Sequence, residues 1–280
     1  MTTVTPSMIK ELRDRTGIGM GKCKEALEES GGDIEKAIAN LRKAGMASAV
    51  KKEGRETREG MIGSAETDKC IGLVEVAAET DFVVQNEKFQ NFVKTMAEEV
   101  AATKPASVEA FLAAKNSKDA SHTNDENRAH LVQSIGENIQ VKRVLAVPKG
   151  DSKSYGLYSH LGGKIVVVTE ISGSKDEGDL ARSIGMHAAA AAPEFLNPES
   201  VPAETIEHEK DIARAQMKGK PDNMIEKILV GKMNAYFDEA CLTKQKFIRD
   251  DSMTIEQVVA ARAKETGKPL ILTAFTRWSK

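Results

Sequence analysis

Met61-Ile62-Gly63-Ser64-Ala65-Glu66 and Lys69-Cys70-Ile71-Gly72-Leu73-Val74-Glu75-Val76-Ala77-Ala78, separated by Thr67-Asp68, decide the fold class. Upstream of Gly60 the apolar residues recur at helical steps. Here the period shortens and β-branched residues concentrate, which predicts a β-hairpin. Asn86 then caps a helix whose Phe89, Phe92, Val93, Met96 and Val100 form one stripe. A similar order returns later in the chain. Ile139 to Val147 reads as a strand, Ser154 to Leu161 and Lys164 to Ile171 as strands about Gly162-Gly163, and Leu180 to Ala192 as a helix. A hairpin followed by a helix, used twice, indicates two related α+β halves and an old duplication.

Working toward the N-terminus, three short amphipathic helices are expected. Thr5-Pro6 opens the first, with Met8, Ile9 and Leu12 on one face and Gly17 as its left-handed stop. Met20, Cys23, Ala26 and Leu27 mark the second, and Asp33 caps a third carrying Ile34, Ala37, Ile38 and Leu41. Together they can close a small core. Lys43 to Arg58 is polar and basic and reads as a solvated helix end and linker, with a phosphate-binding arm as the other reading. Two further helices lie between Ser107 and Glu137, split by the polar run Asn116 to Asn127. Toward the C-terminus, Ala203 to Lys218 and Asp222 to Asp238 form a helical pair around Gly219-Lys220-Pro221. A helix near Thr254 to Glu265 and a strand Leu270 to Phe275 follow. The expected division is residues 1–55 for the three helices, 56–140 for the first half of the core, and 141–280 for the second half. That second half carries a helical hairpin at about 203–239.

Forty Lys and Arg against 42 Asp and Glu leave a net charge of −2, which argues against a dedicated nucleic-acid binder. The three cysteines, Cys23, Cys70 and Cys241, form no CxxC pair, so zinc-ribbon and thioredoxin-type motifs are absent and a reducing compartment is expected. Neither a signal-peptide core nor a run of about 20 apolar residues occurs, so a cytoplasmic location is expected. Aromatic residues make up only 4%, and three of the eight Phe fall between Phe82 and Phe92.

Gly17-Ile18-Gly19-Met20-Gly21-Lys22-Cys23 imitates a phosphate-binding loop, but Thr16 and Cys23 occupy positions that need Gly and Ser or Thr. The segment before it is helical, so a sharp helix–turn–helix is the better reading. The histidines show no HExxH spacing, and His187, beside a run of alanines, reads as a packed, hydrogen-bonded residue rather than a base. No nucleophile elbow or assembled acid/base set is present, so no catalytic residue and no metal ligand is assigned.

Glu79-Thr80-Asp81-Phe82-Val83-Val84-Gln85-Asn86 is the most informative connection. It sets an acid beside a bare aromatic between a strand and a helix cap. Two readings stand equally: Phe82 folded back over its own core as a helix staple, or Phe82 presented as a wedge to a partner.

Several ordered motifs spread over nearly the whole chain resemble bacterial elongation factor Ts, the exchange factors of elongation factor Tu. They are Leu12-Arg13-Asp14-Arg15-Thr16-Gly17-Ile18-Gly19-Met20 with Cys23 to Leu27, Gly32 to Ala37, Thr80-Asp81-Phe82-Val83, Ile135-Gly136-Glu137-Asn138-Ile139, and Met186-His187 with Pro193-Glu194-Phe195. The resemblance implies an N-terminal ubiquitin-associated-like helical domain, a two-part α+β core with antiparallel sheets and an inserted helical hairpin. It implies guanine nucleotide exchange without bond chemistry, on elongation factor Tu in its GDP-bound and nucleotide-free forms, with no cofactor, membrane or direct nucleic-acid partner. By matching positions, Thr80, Asp81, Phe82 and Val83 would enter the partner and dislodge its magnesium ion. Leu12, Arg13 and Met20 would contact its nucleotide domain, and His160 another of its domains. Gly21 stands where the family often carries a second Met. The competing class is a helical interaction module or scaffold without exchange activity.

Overall fold

The computed structural model describes residues 4–217 and 222–280; the turn expected at Gly219-Lys220-Pro221 lies outside the described residues. Helices α1 (Pro6–Thr16), α2 (Met20–Glu29) and α3 (Ile34–Lys52) open the chain. Their ends follow local chemistry. Thr5 Oγ1 accepts from the Met8 N–H at 3.3 Å, Gly17 adopts a left-handed φ of 66°, and Asp33 accepts from the Lys36 N–H at 3.0 Å. Leu12, Ile18, Cys23, Leu27, Ala37 and Leu41 close the core of the three helices.

Strands β1 (Glu59–Glu66) and β2 (Cys70–Ala78) form the expected hairpin, turned by Thr67, whose amide donates to the Cys70 carbonyl at 2.9 Å. The chain continues through α4 (Asp81–Val84), α5 (Glu87–Thr103), α6 (Val108–Ala113), α7 (Asn124–Ile135) and β3 (Ile139–Pro148). β3 pairs antiparallel with β2 along its length, giving a three-stranded sheet of order β1-β2-β3. Residues 141–148 thus belong to the first sheet, although the expected division at residue 140 set them with the second half. A lone strand does not reveal in its own sequence which hairpin it will join. Val74, Val76, Phe89, Val93, Met96, Val100, Val132 and Ile139 fill the core between this sheet and its helices.

The basic stretch Lys43 to Arg58 is a helix end and linker as expected, but one face of its helical part is not solvated. As far as Lys52 it continues α3, and Gly45 and Ala49 are buried. A Cβ on Gly45 would stand 3.6 Å from the Ala129 carbonyl and 3.0 Å from Gln133 Oε1, so α3 lies directly on α7. Small residues four apart make a contact face as effectively as large ones, yet carry no hydrophobic-stripe signal. Lys43 and Lys51 remain exposed away from that face.

In the second unit, β4 (Lys153–His160) and β5 (Ile165–Ser172) form a hairpin followed by α8 (Gly178–Ala191). Then come α9 (Ala203–Ala215), α10 (Asp222–Ala240), the short strands β6 (Lys246–Phe247) and β7 (Asp250–Thr254), α11 (Ile255–Thr266) and β8 (Ile271–Ser279). β8 is longer than the expected Leu270 to Phe275 and pairs with β5, giving the order β4-β5-β8. α9 and α10 pack through Ala213, Met217, Ile225 and Leu229. Pro193-Glu194-Phe195 fastens the base of this helical hairpin: Glu194 and Phe195 amides donate to the Ala240 carbonyl at 2.9 and 3.0 Å.

The two units repeat one plan at residue level. Each sheet places a hairpin's second strand in the middle and adds a third strand from further along the chain. Each middle strand has its irregularity after a glutamate, Glu75 in β2 and Glu170 in β5. One residue before that glutamate, the register opposes a glycine: Gly63 to Val74, and Gly156 to Thr169. Both glycines meet the covering helix, since a Cβ would lie 2.8 Å from the Val93 carbonyl oxygen or 2.2 Å from the Ala181 carbonyl carbon. The chain divides accordingly into two compact units, one of residues up to Pro148 with 162–164 and 280, the other of residues 149–161 with 165–279.

Candidate functional site

The connection after β2 is where the repeat is broken. Residues 173–177, five in number, join β5 to α8, whereas residues 79–86, eight in number, join β2 to α5 and include the extra turn α4. Thr80 caps α4 from extended backbone (φ −128°, ψ 157°), its Oγ1 accepting from the Val83 N–H at 3.4 Å. Asp81 Oδ1 accepts from the Phe82 N–H at 2.9 Å. The turn buries Val83 at 6% exposure in the first core and leaves Phe82 81% exposed. Of the two readings of Phe82, folding back over its own core is excluded by its exposure; its neighbour Val83 is the residue buried there. Asp81 is exposed beside it.

The turn is held from a distant segment. The Thr80 hydroxyl donates to Glu137 Oε1 at 2.7 Å, and the Thr80 N–H to Glu137 Oε2 at 3.1 Å. Glu79 Oε1 accepts from the Asn138 N–H at 2.6 Å and lies 3.5 Å from Arg55 Nη1. Gly136, with φ 97°, ends α7 and turns the chain toward these contacts. Glu137 and Asn138 belong to a motif noted in the sequence, but no spacing rule connects residues 57 apart.

In the N-terminal helices the expected contact residues separate by burial. Leu12 is fully buried in the three-helix core, while Arg13 is exposed and Met20, at the start of α2, is 52% exposed. Of the three, Arg13 and Met20 offer side chains to a surface, while Leu12 packs within the three-helix core. The phosphate-loop lookalike is a helix turn, with the Gly17 N–H donating to the Arg13 carbonyl at 2.7 Å. The Gly17 carbonyl accepts from Lys88 Nζ at 3.0 Å, which ties this turn to α5. Gly21 has open space around its missing side chain.

His160 lies exposed at the end of β4 in the second unit, its ring stacked on Tyr158 with centroids 6.0 Å apart and Nδ1 3.2 Å from the Tyr158 hydroxyl. His187 is a packed residue: Nδ1 accepts from the Ile248 N–H at 3.2 Å, so Nε2 carries the proton toward Gln245 Oε1 at 3.0 Å. Burial pushes its pKa below the ordinary value, opposed by the Gln245 hydrogen bond. Cys241 is buried as well, which pushes its thiol up to about 11. Among the described residues, no group of three or more His, Cys, Asp and Glu is placed to hold a metal ion, and no helix is long and apolar enough to cross a membrane.

A three-helix unit ahead of two sheet-and-helix repeats, one of them bearing an exposed aromatic on a capped turn, is the architecture to be matched. The family model described as Elongation factor TS matches residues 79–279. Elongation factor Ts of Protochlamydia amoebophila (strain UWE25) is 60% identical over 279 residues, covering 100% of this chain and 99% of its own. Elongation factor Ts proteins of Chlamydia caviae and Chlamydia muridarum are 44% and 42% identical over 278 residues, each covering 99% of both chains. The chain belongs to the elongation factor Ts family. It is a member of a family of translation elongation factors, which accounts for motifs running from the first helix to the second unit.

Proposed function

We propose that this chain is a guanine nucleotide exchange factor that binds GDP-bound elongation factor Tu in the cytoplasm, dislodges its magnesium ion and promotes GDP release. The observation that carries this reading is Phe82, a large apolar side chain held in solvent on a short capped turn. Ordering it in advance lowers the entropy lost when it enters a partner. The factor performs no bond chemistry. It binds the nucleotide-free partner more tightly than the GDP-bound one, and linkage makes factor and nucleotide each weaken the other.

The magnitudes require more than one contact. A ten-thousandfold acceleration of release lowers the barrier by about 5.5 kcal/mol. Full burial of Phe82 supplies roughly 1.5–3 kcal/mol. Phe82 would displace switch elements while the exposed Asp81 carboxylate perturbs hydrogen bonds or water around the magnesium ion. Arg13 and Met20 on the N-terminal helices, and His160 on β4, would supply the remaining binding energy and hold the opened partner.

The test is stopped-flow release of a fluorescent GDP analogue from elongation factor Tu. Substoichiometric chain is expected to turn over release from many partner molecules. Binding without accelerated release would point instead to the interaction-module reading.

A further inference from the structure

We propose that Glu137 is a positioning residue for the Phe82 wedge, and that Glu137 and Asn138 together form the corner holding that wedge in register with the end of α3. This rests on the exchange reading above.

The geometry assigns distinct tasks to each atom. Glu137 takes both Thr80 donors, the hydroxyl at 2.7 Å and the amide at 3.1 Å. A hydroxyl has one proton. Committing it to the Glu137 carboxylate leaves the oxygen lone pairs for the Val83 N–H, so the carboxylate selects the hydroxyl orientation that caps α4. α4 has only four residues, too few to hold itself without such a cap. The direction in which Phe82 leaves the surface is therefore set by a residue 57 positions further along the chain.

Asn138 extends the corner. Its backbone N–H donates to Glu79 at 2.6 Å, and its side-chain Nδ2 donates to the carbonyls of Arg55 at 2.7 Å and Glu53 at 3.3 Å. Asn138 is fully buried, so these contacts are shielded from water. Glu53 and Arg55 directly follow α3. The segment that leads out of the N-terminal helices and the root of the Phe82 turn thus hang on two adjacent residues.

The second unit uses the corresponding place differently. There Lys268, shortly before β8, donates to Ser174 Oγ at 3.0 Å and Asp176 Oδ2 at 2.7 Å, after β5. A strap between these two connections is part of the repeated plan. In the first unit the strap carries a carboxylate and ends on an aromatic side chain projecting into solvent.

The experiment is a double-mutant cycle on the full chain, using Glu137→Ala, Phe82→Ala and the pair. Release of a fluorescent GDP analogue from elongation factor Tu is read at saturating factor, below the melting range of every variant. Glu137→Ala is expected to slow maximal release by about tenfold. In the Phe82→Ala background its effect should shrink to the share carried by Asp81 on the same turn, because a residue acting through the wedge loses that path once the wedge is gone. A merely stabilising role would move the melting temperature and leave the saturated rate of folded protein unchanged. That outcome, or multiplicative effects of the two substitutions, overturns the proposal while leaving the wedge in place. Unimpaired release by Phe82→Ala instead removes the wedge reading, and this inference with it. Should Glu137→Ala not fold, Glu137→Gln runs the same cycle, since it preserves size while replacing one acceptor oxygen by a donor.

Discussion

Phe82 and Val83 are chain neighbours with opposite fates, the first 81% exposed and the second 6%. One residue step along the helical turn α4 sets them about 100° apart around its axis, enough to send one side chain to solvent and the other into the core. This relationship makes function and stability separable by adjacent substitutions.

Phe82→Ala is expected to slow partner GDP release by roughly 10- to 150-fold, the rate equivalent of about 1.5–3 kcal/mol of lost burial in the complex. Its melting temperature should match wild type, because the side chain touches little in the free protein. Val83→Ala should do the reverse, lowering the melting temperature through a cavity in the first core. Calorimetry beside the release assay measures both.

In the N-terminal helices, burial divides the expected contact residues in the same way. Leu12→Ala should destabilise the three-helix core by about 2–5 kcal/mol. Met20→Ala should leave stability within about 0.5 kcal/mol while weakening partner affinity. Titration calorimetry with nucleotide-free elongation factor Tu distinguishes them; unchanged affinity for Met20→Ala would remove it from the contact surface. Point variants are preferable to removing residues 1–50, because Ala49 of α3 belongs to the first core.

Gly156→Ala should be the more damaging of the two matched glycine substitutions. Its new Cβ would stand 2.2 Å from the Ala181 carbonyl carbon and 2.3 Å from the Arg182 amide, all helix backbone. At Gly63 the nearest atom is Val93 Cγ1 at 2.6 Å, a side-chain methyl that can turn aside, though the Val93 carbonyl remains at 2.8 Å. Losses of about 1–3 kcal/mol or more are expected from such overpacking. Urea denaturation midpoints, with Gly156→Ala below Gly63→Ala, would bear this out.

The stability of the second unit should fall in mild acid. Burial depresses the pKa of His187, so the unfolded chain, titrating near pH 6.5, binds the proton more readily than the folded one. The stabilisation is fully present above about pH 6.5 and is lost as pH falls toward the folded value. His130 is shifted in the same direction, chiefly by burial, and adds to the trend in the first unit. Asp119, held at about 2 mainly by Ser121, titrates far below this window. The denaturation midpoint should drop between about pH 7.5 and 5.5, and the drop should shrink in His187→Gln. An equal drop in that variant would assign the effect elsewhere.

Much of the architecture is legible in the sequence because it is local. Thr5, Asp33, Asn86 and Thr254 each cap the helix that their chemistry announces, with hydrogen bonds closing within three residues. The two hairpins followed by helices declare themselves through period and turn residues. What escapes is non-local or unmarked. β6 and β7 are too short to show a period, β3 and β8 find their partners only in space, and α3 packs through Gly45 and Ala49, which no hydrophobic stripe reveals.

The candidate site divides along the same line. Residue type and order suffice to put an acid and an aromatic at a strand-to-helix connection, because both are written in the chain. Whether Phe82 closes its own core or faces solvent depends on Val83 filling the first core at this turn, and on Glu137 arriving from beyond α7. Burial and long-range hydrogen bonds are properties of the packed chain, since each is set by atoms that meet only after the sheet and helices have closed. That Val83 is the anchor, Leu12 a core residue and Phe82 the side chain turned to solvent is therefore a result of packing, which no reading of the residues in order could supply.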